Sequence, residues 1–233
     1  SGAIEKTRTA LESLGKALVV MATGTGKTVV GAFAIKEFLK HGRGLFLCHN
    51  NSILEQSLLQ FKAALGDEVR LGVFHGEKKH WEEVDILFAS FQTLTDWKHA
   101  FFENEFYFVI VDESHHSKAV TFEDVIKYFT PKKLLALTAT PDRMDQKDIR
   151  TIFGQEVVNI TLEEAIAKGW LASVEYHLIT DNLSHHALKK IAREVLGEGK
   201  RISLKQLNET VFIKARDEKV AETIESYGKK KTI

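Results

Sequence analysis

The sequence predicts an α/β fold, a mostly parallel sheet flanked by helices, from three observations. Strand-like and helix-like segments alternate from residue 17 to about residue 140, the order a parallel sheet requires. The strand-like runs are uninterrupted apolar stretches, such as Phe-Tyr-Phe-Val-Ile-Val at residues 106–111, as expected of strands covered on both faces. A glycine-rich turn at residues 23–26 joins one such run directly to a helix-spaced segment.

Residues 17–21, Ala-Leu-Val-Val-Met, read as a buried strand, and residues 29–38 carry apolar side chains at helical spacing (Val29, Val30, Phe33, Ala34, Phe38). Between them stand Thr23, Gly24, Thr25, Gly26, Lys27 and Thr28. Gly24 and Gly26 allow the tight, partly left-handed backbone that turns consecutive N–H groups toward one anion. The new helix adds its positive N-terminal end. These six residues form the candidate nucleotide-binding set: Lys27 neutralises β- and γ-phosphate charge, and the Thr28 hydroxyl binds Mg2+. The usual pattern begins with Gly six residues before the lysine, where this chain has Met21.

The strand at residues 106–111 ends in Asp112 and Glu113, at the edge where open α/β sheets place their ligands. One carboxylate can hold a metal ion and the other can orient an attacking water, so Asp112 is assigned to Mg2+ and Glu113, with Lys27, to catalysis. A further apolar run at residues 134–137 ends in Thr138-Ala139-Thr140-Pro141, a hydroxyl-rich strand exit. Residues 145–153 and 162–168 read as helices closed by Gly154 and Gly169, with Trp170 and Leu171 packing behind the second. Residues 156–160 and 174–179 read as strands. Beyond Ser184, helical spacing returns at residues 186–196, 203–208 and 215–227, and Lys189, Lys190, Arg193, Lys200, Arg201 and Lys205 make the region locally basic. That basic stretch reads either as a solvated helical face or as a helical insertion lying over nucleic acid.

Composition narrows the classes. At 233 residues with 44% apolar content the chain can bury one domain and more. It carries no long apolar span and no signal-peptide pattern, so no membrane partner is expected. The single Cys48 cannot form an internal disulfide, which fits a reducing, cytoplasmic setting. His115-His116 and His185-His186 are adjacent pairs, which do not converge on one ion as an i, i+4 pair does. Lys+Arg and Asp+Glu balance at 32 each, a neutral total that leaves room for a local nucleic-acid groove.

Taken together, Ala22 to Thr28, Asp112 to His115 and Leu137 to Pro141 resemble motifs I, II (the DExH form) and III of the first RecA-like domain of superfamily 2 helicases and translocases. Within that group the chain is most similar to the branch of restriction-enzyme motor subunits and related DNA translocases. Weaker motifs fall in order too. Phe46-Leu47-Cys48-His49-Asn50 with Leu54 and Gln56 resembles motif Ia, and Phe88 to Leu94 resembles motif Ib. Ser52-Ile53-Leu54-Glu55 can form a capping box opening the helix of motif Ia.

The resemblance implies a P-loop NTPase using ATP and Mg2+, with DNA favoured over RNA as the track. It places His49, Asn50, Ser90, Gln92 and Thr93 against the nucleic-acid backbone, where small polar groups position a strand without reading it. It gives His115, Thr138, Ala139 and Thr140 the coupling of nucleotide state to the track. It also implies a partner domain, a second RecA-like unit with an arginine finger, which has no counterpart in these 233 residues. Residues 1–172 are therefore expected to be the ATP-binding domain. Residues 173–233 are expected to be a connector with a helical insertion and the truncated start of the second domain. The N-terminus reads as clipped, and this chain alone is expected to hydrolyse ATP weakly or not at all. The residues leave two other classes open: a P-loop phosphotransferase, which has no need of the Thr-Ala-Thr turn, and a scaffold that keeps nucleotide as a structural ligand.

Overall fold

In a computed structural model, residues 2–76, 78–112, 119–140 and 149–173 are described, all within one unit, Ser1–Val174. Helix α1 (Gly2–Leu14) precedes strand β1 (Lys16–Met21), which feeds helix α2 (Lys27–Ile35). Strand β2 (Arg43–Cys48) feeds helix α3 (Asn51–Leu65). Strands β3 (Leu71–His75) and β4 (Lys78–His80) form a hairpin, and β5 (Ile86–Ser90) feeds helix α4 (Phe91–Trp97). Strand β6 (Phe106–Asp112), helix α5 (Ala119–Tyr128), strand β7 (Lys133–Thr138), helix α6 (Arg150–Phe153), strand β8 (Glu156–Ile160) and helix α7 (Leu162–Ala167) follow.

Among the described residues these strands form one sheet in the order β4-β3-β5-β2-β6-β7-β1-β8. Every neighbouring pair is parallel except β3–β4. The α/β expectation holds, and its physical basis is visible in the alternation along each strand. Val19 and Met21 of β1 join α1, α2 and α3 in one core, with Leu11, Ile35, Leu54 and Phe61. Leu18 and Val20 face the opposite core, with Phe91, Val125 and Phe153 from α4, α5 and α6. The central strands are apolar nearly throughout because helices cover both of their faces.

Boundaries differ from the sequence expectation in small, explicable ways. The helix expected over residues 29–38 starts at Lys27 and tightens at its end into a 3-10 turn, Lys36–His41. Asp112 and Thr138 belong to their strands rather than to the loops that follow. Met21, standing where the usual phosphate-loop pattern has Gly, is a buried strand residue paired in register with Ile160, so no left-handed conformation is needed there. Of the helix expected over residues 145–153, Arg150–Phe153 is described and helical. The strand and helices expected beyond residue 173 lie outside the described residues, as do Glu113 and His115.

Candidate functional site

Because the strands are parallel, β1, β2, β5, β6 and β7 all deliver their C-terminal ends to one edge of the sheet. Register fixes how those ends line up. Thr138 stands level with Val20, Asp112 with Leu137, and Cys48 with Ser90.

The loop after β1 is shaped by its own hydrogen bonds. The Ala22 N–H donates to the Ile160 carbonyl at 3.0 Å, which ties the loop's start to β8. The Thr25 hydroxyl and N–H both donate to the Ala22 carbonyl, at 2.6 and 3.2 Å, closing a turn. Gly24 and Gly26 have φ of 85° and 89°, as the sequence predicted. Gly26 is the residue preceding α2 and has no side chain with which to cap that helix. A Cβ on Gly26 would meet nothing within 4 Å, so the backbone there is open to a bound group.

A cavity of about 400 Å³ lies against this loop. Gly24, Gly26, Lys27, Thr28 and Asp112 line it, together with Ile53, Gln56, Ser57 and Gln60 of α3. Lys27 and Asp112 are 8% and 3% exposed, an ammonium and a carboxylate both held out of bulk water beside one cavity. The motif reading did not assign the α3 residues to this cavity. Their spacing i, i+3, i+4, i+7 was the available signal, since it puts them on one helix stripe.

A second hollow, about 470 Å³, lies between the phosphate loop, β7 and β8, lined by Ala22, Thr23, Ala139, Thr140, Asn159 and Thr161 among others. Thr23 borders both spaces. The Thr138 hydroxyl accepts from the Thr140 N–H at 3.2 Å and donates to the Thr140 carbonyl at 2.8 Å, which folds the strand exit into a tight turn. Thr138 is fully buried.

The residues proposed to face a nucleic-acid backbone also meet. His49, Asn50, Ser90, Gln92 and Thr93 line a third hollow of about 530 Å³, with Asn51 and Gly76. The His49 ring stacks on Phe91 at 4.8 Å, and its Nδ1 lies 3.4 Å from Gln92 Nε2. Two of these side chains also act as helix caps. Asn50 Oδ1 accepts from the N–H groups of Ser52 and Ile53 at 2.8 and 3.3 Å, and the Ser90 hydroxyl accepts from the Thr93 N–H at 3.2 Å. This corrects the expected capping box. The helix opens one residue after Asn50, Ser52 already lies inside it, and Glu55 pairs with Lys78 of β4. That Lys78 hydrogen bond holds the Glu55 carboxyl below its usual range.

A glycine cradle between β1 and α2, lining one cavity with the carboxylate that ends parallel strand β6, defines a P-loop nucleotide-binding domain of RecA-like fold. Within that class the chain belongs to the type III restriction enzyme res subunit family, whose model matches residues 2–143. It is 26% identical to the type I restriction enzyme EcoAI endonuclease subunit of Escherichia coli, over 98% of this chain and 30% of that protein. It is 28% identical to the DNA 3'-5' helicase XPB of Mycobacterium tuberculosis, over 69% of this chain and 30% of that protein. Its fold matches the structure of a nuclease-deletion mutant of the Type ISP restriction-modification enzyme LlaGI in complex with a DNA substrate mimic. The TM-score is 0.56 at 17% identity, covering 97% of this chain and 24% of that one. The chain thus spans about 30% of the length of these two curated relatives. Among the described residues no helix is long and apolar enough to cross a membrane.

Proposed function

We propose that residues 1–172 bind Mg-ATP and form the first motor domain of an ATP-dependent DNA helicase or translocase, with residues 173–233 as the connector toward a second RecA-like domain. The observation that carries this reading is the shared cavity of Lys27, Thr28 and Asp112 against a loop whose two glycines are left-handed. The residues fit the group they would hold. The open space at Gly26 admits a phosphate, the first turn of α2 presents N–H groups, and the buried pair Lys27 and Asp112 supplies one cation and one carboxylate.

In this reading the loop amides and Lys27 bind the β- and γ-phosphate oxygens. Thr28 and Asp112 hold Mg2+, which when bound neutralises charge at those oxygens. Glu113, the residue after Asp112, orients the attacking water and takes its proton. His115, Thr138, Ala139 and Thr140 pass the nucleotide state to the track. His49, Asn50, Gln92 and Thr93 position a nucleic-acid backbone, and Ser90 supports them by capping α4. DNA is favoured because the relatives named above are DNA helicase and restriction proteins. The second hollow, at Ala139 and Thr140, supports a motor over a simple phosphotransferase, since it places the Thr-Ala-Thr turn beside the phosphate loop.

The test is the ATPase rate of the full-length protein without polymer and with single-stranded DNA, duplex DNA and RNA, beside its Glu113→Gln variant. DNA stimulation that vanishes in the variant while ATP binding persists supports the proposal. A rate indifferent to every polymer rejects it.

A further inference from the structure

We infer that Ser57 is a ligand-contacting residue of the nucleotide site and donates a hydrogen bond to the terminal phosphate of ATP. The inference rests on the nucleotide reading of the same cavity. Ser57 sits in the middle of α3, is 3% exposed, and lines the same cavity as Lys27, Thr28 and Asp112.

Its hydroxyl lacks the partner that a mid-helix hydroxyl ordinarily finds, the carbonyl four residues back. Elsewhere in this chain that bond forms: Thr7 donates to the Ala3 carbonyl at 2.8 Å, Ser13 to Thr9 at 2.7 Å and Thr95 to Phe91 at 2.8 Å. Among the described residues Ser57 makes no such bond and no other side-chain hydrogen bond. Its oxygen is not among the buried side-chain atoms left without a partner, so it keeps access to the cavity and can donate to a group bound there.

The neighbours on the helix point the same way. Ser57 belongs to the buried stripe of α3 with Leu54, Phe61 and Leu65, and Gln56 and Gln60 beside it line the same cavity. A helix packed for structure alone has no need of three polar residues lining a cavity. Ser and Gln supply neutral donors, which suit phosphate oxygens already facing a buried carboxylate. The terminal phosphate is the matching group because Ser57 lines the same cavity as Thr28 and Asp112, the proposed metal-binding pair.

The test measures Mg-ATP and Mg-ADP affinities of the full chain by displacement of a fluorescent nucleotide, with thermal unfolding alongside. Ser57→Ala is expected to weaken ATP roughly five- to tenfold, to leave ADP within about twofold, and to keep Tm, because it removes no hydrogen bond to another described residue. Ser57→Thr, which keeps the hydroxyl, is expected to retain the preference for ATP. Equal losses for ATP and ADP, no loss at all, or a fall in Tm accompanying the loss would overturn the inference. Lys27→Ala separates the two levels. If wild type and Lys27→Ala bind nucleotide equally well, or wild type binds none, the nucleotide reading itself fails and the inference goes with it.

Discussion

Gly24 and Leu171 are packed against each other: a Cβ built on Gly24 would stand 3.2 Å from Leu171 Cδ2. The turn after α7 makes this contact. Gly169 takes φ of 70°, and the N–H groups of Trp170 and Leu171 both donate to the Ala165 carbonyl, at 2.9 and 3.3 Å. The phosphate loop is thus braced by a segment almost 150 residues downstream in sequence.

Gly24→Ala and Gly26→Ala are each expected to cost about 1–2 kcal/mol from the left-handed backbone alone. Only the first also crowds Leu171. Adding Leu171→Ala should recover part of the Gly24→Ala loss and none of the Gly26→Ala loss. A double-mutant cycle on urea unfolding checks this; a coupling of about 0.5 kcal/mol or more is expected for Gly24 with Leu171. Strict additivity would show that the contact carries no energy.

Asn50→Ala is expected to destabilise by about 1 kcal/mol, because it removes the acceptor for two first-turn amides of α3. Ser90→Ala should cost about the same at α4. Ser52→Ala should fall within about 0.5 kcal/mol of wild type, since Ser52 caps nothing. Chemical denaturation of the three variants distinguishes them, and a larger loss for Ser52→Ala than for Asn50→Ala would restore the capping box.

Gly44 of β2 faces Phe108 of β6 in register, and a Cβ there would lie 2.1 Å from two ring atoms. Gly44→Ala should therefore cost at least about 2–3 kcal/mol through overpacking. Combining it with Phe108→Leu should return part of that loss in thermal unfolding.

The Asp85 carboxyl is held below its usual range, first by the Arg70 side chain, which donates at 2.8 Å, and further by the Arg70 backbone N–H. A lowered folded-state pKa stabilises above the unfolded value of about 3.9 and is lost as pH falls through the folded value. Asp85→Asn should therefore lower stability at neutral pH and flatten its decline below about pH 4. Unfolding midpoints across pH 2–7 test the sign; a variant that parallels wild type throughout would contradict it.

The sheet and the phosphate loop were legible because their signals are local. Uninterrupted apolar runs marked β1, β6 and β7, and glycine at two loop positions marked the left-handed turn. Strands β3 and β4 gave no comparable signal. Leu-Gly-Val-Phe-His is broken by glycine, and Lys-Lys-His is an exposed edge held by pairing with β3 rather than by burial. The capping box was misplaced because Asn50 and Ser52 are both good caps, and which one serves depends on where β2 stops. The α3 wall of the nucleotide cavity and the Leu171 brace were hidden because both are tertiary contacts. Helical spacing put Gln56, Ser57 and Gln60 on one face, yet only the packing of α3 beside α2 shows what that face meets.

The most direct test of the central claim is calorimetric titration of the chain with ATP, with and without Mg2+, for wild type and Lys27→Ala. Saturable one-to-one binding that strengthens with Mg2+ and is lost in Lys27→Ala is the expected result. Absence of binding in wild type, or binding that survives Lys27→Ala unchanged, would contradict the account.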